Sequence, residues 1–104
     1  MEQLTLVQKV KHILRLSKTD LAIISSLSSN QKLLVSEIAL QTHRSQRHIC
    51  DRLVLLLEKG LLERELHILH NKRVAYRYSL LSSEMITERL REHLLQTLSD
   101  LDTV

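Results

Sequence analysis

SQRHICDRLVLLLEKGLL, residues 45–62, starts polar, becomes an apolar run at helical spacing and ends around Gly60, the single glycine in a chain of 104 residues that has no proline. A glycine just after Glu58 and Lys59 takes positive φ at no steric cost, so its place predicts a helix C-cap where the chain turns. Ile49, Leu53, Leu56 and Leu57 fall on one face of that helix, and this face must be buried. Gln46, Arg47, Asp51 and Arg52 cannot share it. The helix therefore has a packed back and a front of long hydrogen-bonding side chains, concentrated in its first two turns.

A chain of this length fits one small domain with room for one extra helix. Aromatic residues make up 2%, two tyrosines with no Phe and no Trp, so the core must be built from Leu, Ile and Val. The same shortage argues against single-stranded nucleic acid, whose bases stack on exposed rings. The formal charge of +3 is unevenly spread. Residues 43 to 52 carry three Arg and one Asp, residues 70 to 78 carry Lys72, Arg73 and Arg77 with no acid, and residues 84 to 102 hold five acids and two bases. A polyanion suits the middle of such a chain and not its tail, although solvated helix faces are the plainer account of the same charges. Cys50 is the one cysteine, which excludes an internal disulfide and a zinc-binding pair and fits a reduced compartment. On a mostly buried helix flank it reads as a small core residue. No basic leader precedes an apolar run, and no window approaches the roughly 18 uncharged residues of a membrane span. The expectation is a soluble cytoplasmic protein.

Outward from the central helix, residues 4 to 16 place Leu6, Val10, Ile13 and Leu14 at helical spacing. Ser17 with Asp20 forms a capping box that opens a second helix through Leu21, Ile24 and Leu27, ended by the polar run Ser25 to Gln31. Leu33 to Val35 is too short for a helix and reads as a brief edge strand. Ser36 caps a short helix to about Thr42, with Glu37 in its first turn. His43 and Arg44 form the connection, and Ser45 caps the long helix. After Gly60 the period changes. Leu62, Leu66 and Ile68 sit at even spacing, and Val74, Tyr76, Tyr78 and Leu80 alternate with polar or small residues, which predicts a β-hairpin with His70, Asn71 and Lys72 at its tip. Without Gly the turn should have three residues or more. Ser82 or Ser83 caps a last helix with Ile86, Leu90, Leu94, Leu98 and Leu101 near one stripe.

VSEIALQTHRSQRHICDRLVLLLEKGLLER, residues 35–64, followed by HNKRVAYRYSL, residues 70–80, resembles the DNA-binding core of MarR, ArsR and especially TrmB-like regulators. In these a short helix, a turn, a recognition helix ending in Lys-Gly-Leu and a hairpin wing follow in that order. The resemblance covers roughly residues 18 to 81 and implies an α+β, mostly helical, winged helix-turn-helix fold with a β-hairpin wing and a C-terminal dimerisation helix. Two departures stand out. His43 and Arg44 occupy the turn where such families often have a glycine and then an apolar residue, and the cysteine motif of ArsR metal sensors is absent.

On that footing Arg44, Ser45, Gln46, Arg47, His48 and Arg52 are the candidate DNA contacts of the recognition helix, because Arg bonds two acceptors of guanine and Gln pairs with the adenine edge. His43 and Ser45 suit phosphates. Asn71, Lys72 and Arg73 would place the wing on the minor groove or backbone. Ile86, Leu90, Leu94, Leu98 and Leu101 are the expected homodimer interface, so that residues 1–81 form the winged domain and residues 82–104 the dimerisation element. The expected activity is sequence-specific binding of double-stranded DNA and regulation of transcription, with a protein-interaction winged helix as the rival. No cofactor is implied, a small-molecule effector is left open, and His67 with His70 makes a poor metal site because no acid-rich cluster accompanies it. His93 reads as an interface histidine. No nucleophile, base and orienting acid come together, which argues against an enzyme.

Overall fold

The computed structural model describes residues 14–28 and 31–102. The helix expected over residues 4 to 16 lies outside them except for its end, where Leu14 is buried in the core. The described elements are α1 (Lys18–Leu27), β1 (Leu33–Leu34), α2 (Val35–Thr42), α3 (Gln46–Glu58), β2 (Leu62–Ile68), β3 (Val74–Leu80) and α4 (Ser83–Asp102). This is an α+β winged helix. Its three strands form one antiparallel sheet in the order β1-β3-β2, so the brief strand pairs with the far side of the hairpin rather than with its chain neighbour.

The helix boundaries follow from local chemistry. Ser17 Oγ accepts from the Asp20 N–H while Asp20 Oδ2 accepts from the Ser17 N–H, a complete capping box on α1. The start of α2 lies two residues earlier than a cap at Ser36 predicts. Leu34 is its N-cap, and Glu37 reaches back to accept the Leu34 N–H at 2.8 Å. Ser45 caps α3 by accepting from the His48 N–H, and Ser82 caps α4 by accepting from the Met85 N–H.

The C-termini of α2 and α3 close with the same turn. Gly60 has φ +75°, and Leu61 N–H donates to Leu56 O while Gly60 N–H donates to Leu57 O, a Schellman motif. After α2, His43 takes the left-handed conformation at φ 57°, with Arg44 N–H on Ala39 O and His43 N–H on Leu40 O. His43 thus occupies the position that glycine fills most cheaply, and the turn has the same hydrogen-bonded form as the one at Gly60.

Ile23, Ile24 and Leu27 of α1, Ile38 and Ala39 of α2, and Ile49, Leu53 and Leu56 of α3 meet Leu33, Leu61, Leu62 and Tyr78 in one core. The face of α3 read from its spacing is the buried one. The hairpin register runs from Leu62 opposite Leu80 to Ile68 opposite Val74. Only its base packs as the alternation predicts. Leu66, Ile68 and Val74 are 63%, 71% and 63% exposed. A strand of seven residues spans about 23 Å, roughly twice the diameter of a helix, so the outer half of the apolar face stands clear of the helical layer.

The terminal helix is divided in the same way. Ile86, expected in a dimer interface, is enclosed by its own chain, and Leu90 packs beside it. Leu94, Leu95, Leu98 and Leu101 are exposed. Among the described residues no helix is long and apolar enough to cross a membrane.

Candidate nucleic-acid interface

The front of α3 was expected to offer six side chains to DNA, and the structure gives them different surroundings. Gln46 and Arg47 are exposed in the first turn and make no side-chain hydrogen bond among the described residues. Ser45 spends its oxygen on the cap. Arg44 turns partly back, its Nη1 donating to Thr42 O at 3.0 Å, which satisfies a carbonyl at the end of α2. His48 Nε2 lies 3.1 Å from Thr19 Oγ1 of α1.

Arg52 differs most from the expectation. Its Nε and Nη2 donate to Asp20 Oδ1 and Oδ2, each at 2.7 Å. Asp20 is 0% exposed, so this is a two-point ion pair with one member buried. Burial alone would raise the Asp20 pKa, but the Arg52 hydrogen bonds, the Ser17 N–H and the Arg52 charge together outweigh it and hold the carboxyl below its ordinary value. The guanidinium is in turn held above its usual value, chiefly by the hydrogen bond to Asp20. Arg52 therefore serves the α1–α3 contact through two of its nitrogens, a role that its place on the polar front did not indicate. Sequence spacing could not reveal the partner, which lies 32 positions away.

The wing tip is a three-residue loop, as the missing glycine predicts. Lys72 N–H donates to Leu69 O, Leu69 N–H donates to Arg73 O, and Lys72 adopts φ 65°. This is a type I turn followed by a left-handed residue. Asn71 Oδ1 accepts from the Arg73 N–H, which stiffens the tip. His70, Asn71, Lys72 and Arg73 are all exposed. On the strands below, the Arg64 guanidinium stacks 4.2 Å from the centre of the Tyr76 ring.

Between α3 and the wing runs an apolar cleft of about 410 Å³, lined by residues including Val35, Gln46, Cys50, Ala75, Tyr76 and Tyr78. Cys50 is exposed there and is not the core residue that its neighbours in sequence suggest. It follows Ile49 by one position, a turn of about 100° that carries it off the buried face. No group of three metal-ligating side chains occurs among the described residues.

No family model matches the chain, and no curated protein matches it. Solved structures do. A possible transcriptional regulator from Methanosarcina mazei superposes with a TM-score of 0.76 at 19% identity, over 90% of this chain and 80% of that one. The ST1889 protein from Sulfolobus tokodaii gives 0.67 at 22% identity, over 99% and 97%. A MarR-family transcriptional regulator from Silicibacter pomeroyi gives 0.60 at 19% identity, over 95% and 66%. At these identities the likeness is one of fold, and the fold is the winged helix of that regulator.

Proposed function

We propose that the chain binds double-stranded DNA as a homodimer and regulates transcription. The observation that carries this reading is α3 itself: its back is closed by Ile49, Leu53 and Leu56, while its first turn holds Gln46 and Arg47 out in solvent without a hydrogen-bond partner among the described residues. A helix of that form fits the major groove, where Arg recognises guanine and Gln adenine. Ser45, His43 and Arg44 lie beside it for phosphates, and Asn71, Lys72 and Arg73 of the wing lie on the minor groove or backbone. Residues 1–81 act as the DNA-binding unit and residues 82–104 as the pairing element, through Leu94, Leu98 and Leu101 together with Leu95. Two-fold pairing sets the recognition helices about 34 Å apart on a roughly palindromic site. The fold likeness to the transcriptional regulators supports the same reading.

A second reading has its own support. The exposed strip of Leu66, Ile68 and Val74 is unlike a surface that only tracks phosphates, and it favours a winged helix that contacts protein. Selection from random duplexes followed by titration separates the two. The DNA reading expects a preferred sequence whose affinity falls steeply with salt. Equal, weak binding to all duplexes, unaffected by Arg47→Ala, would leave the protein-contact reading standing.

A further inference from the structure

Arg52 and His48 belong to the front of α3, yet both side chains meet the first turn of α1. Arg52 grips both oxygens of Asp20 at 2.7 Å, and His48 lies 3.1 Å from Thr19. Asp20 is completely enclosed and cannot touch a duplex. One of its oxygens also accepts the Ser17 N–H at 2.9 Å, so a single carboxylate ties the cap of α1 to the front of α3.

An apolar pair of similar size would hold two helices together at least as well, since the desolvation cost of a buried ion pair offsets much of its attraction. The planar fork supplies direction. Two parallel N–H···O bonds leave little freedom for α3 to roll or slide against α1. Arg52 follows Gln46 and Arg47 by six and five residues, so the pair acts within about two turns of the exposed side chains. Base contacts demand placement to within about 0.5 Å, a tolerance that loops and single apolar contacts do not provide.

We propose that Asp20 is a positioning residue for sequence readout. Through Arg52 it fixes the rotation of α3 about its axis, and so determines which base edges Gln46 and Arg47 reach. The proposal rests on the duplex-binding reading above, and its test separates the two. The first measurement uses the free full-length chain. Amide hydrogen exchange in Asp20→Asn, and in Arg52→Lys, which keeps the charge but loses the fork, should quicken about tenfold more at residues 49–53 than at β3, whose own rise reports the general loss of stability. A uniform rise across the chain, or none, would overturn the clamp. The second measurement compares affinity for a selected duplex with that for random duplexes. Both variants should lower this ratio about tenfold with the salt slope unchanged, because no phosphate contact is lost. A ratio unaltered in Asp20→Asn, or preference relaxed at only one base pair in Arg52→Lys, would show that Arg52 reads a base directly and would overturn the proposal. If the unaltered chain binds no duplex, the DNA reading fails and the readout role fails with it, while the exchange measurement still reports whether the clamp exists.

Discussion

The Arg89 side chain of α4 lies across the bare face of Gly60, with its Cδ 2.8 Å and its Nε 2.9 Å from where a Cβ would stand. The single glycine thus does two things. It takes the positive φ that turns α3 into the wing, and it gives α4 a close seat on that turn. Gly60→Ala should lower stability by about 1–2 kcal/mol through the left-handed backbone alone, with the Arg89 collision adding to it. Urea unfolding of Gly60→Ala, Arg89→Ala and the double variant would resolve the parts. The double variant should be more stable than the sum of the two losses implies, because removing Arg89 removes the collision. Strict additivity would show that Arg89 yields without cost.

His43 offers the opposite experiment. It holds the left-handed conformation that a side chain adopts at a cost of about 1–2 kcal/mol, partly offset because glycine is freer when unfolded. His43→Gly should therefore leave the fold intact and raise stability by up to about 1 kcal/mol in thermal or urea melts. If the imidazole contacts phosphate, duplex affinity should fall while stability rises. A loss of stability would mean that the ring has a packing role absent from its exposed position.

The acid limb of the stability curve should carry the mark of Asp20. Its folded pKa lies below the ordinary 3.8, so the unfolded chain binds the proton more tightly. The stabilisation is complete above the unfolded value and is lost as pH falls through the folded one, that is, below about pH 4. Asp20→Asn should cost about 2–3 kcal/mol at neutral pH, less than a fully buried pair because Arg52 keeps some solvent contact. Its stability should then change less than that of the unaltered chain as the pH is lowered from about 4. Parallel curves for the two proteins would contradict this.

Much of this architecture could be read from the chain because it rests on short-range rules. Gly60 after Lys59, the Ser17–Asp20 box and the spacing of Ile49, Leu53 and Leu56 each involve neighbours within seven positions, and each appears where expected. The hairpin and its three-residue tip follow from alternation and the lack of glycine. What was hidden depends on where the core ends. Ile86 and Leu98 share one stripe, yet one is enclosed and the other exposed, and periodicity cannot tell them apart. Tyr78 and Val74 differ in the same way along β3. The Asp20–Arg52 pair was hidden because the two residues meet only after α1 and α3 pack. Spacing placed Arg52 on the polar front correctly, but it could not show that this edge of the front faces another helix.

The wing predicts a salt effect that can be counted. Lys72 and Arg73 stand at the exposed tip, away from the buried residues, so changing both to Ala should leave stability almost unchanged. If each neutralises one phosphate, the slope of log K against log salt should become shallower by about 1.8, at roughly 0.9 per contact on duplex DNA. Affinity should fall alike for selected and random duplexes, because phosphates carry no sequence information. A change in preference with an unaltered slope would place the tip on base edges in the minor groove instead.

The division of α4 gives the last prediction. Its buried end and its exposed end should respond differently to substitution. Ile86→Ala removes methyl groups from the chain's own core and should cost about 2–4 kcal/mol with no direct effect on association. Leu94→Glu with Leu98→Glu places charge on the exposed stripe, where the isolated subunit loses little. If the stripe joins two subunits, the double variant should sediment as a folded monomer with unchanged helix content, while the unaltered chain sediments as a dimer. Binding to a palindromic duplex should weaken much more than binding to a half-site, since the link between two recognition helices is what has been lost. A double variant that remains dimeric would move the interface elsewhere, and the apolar strip of Leu66, Ile68 and Val74 would be the next surface to charge.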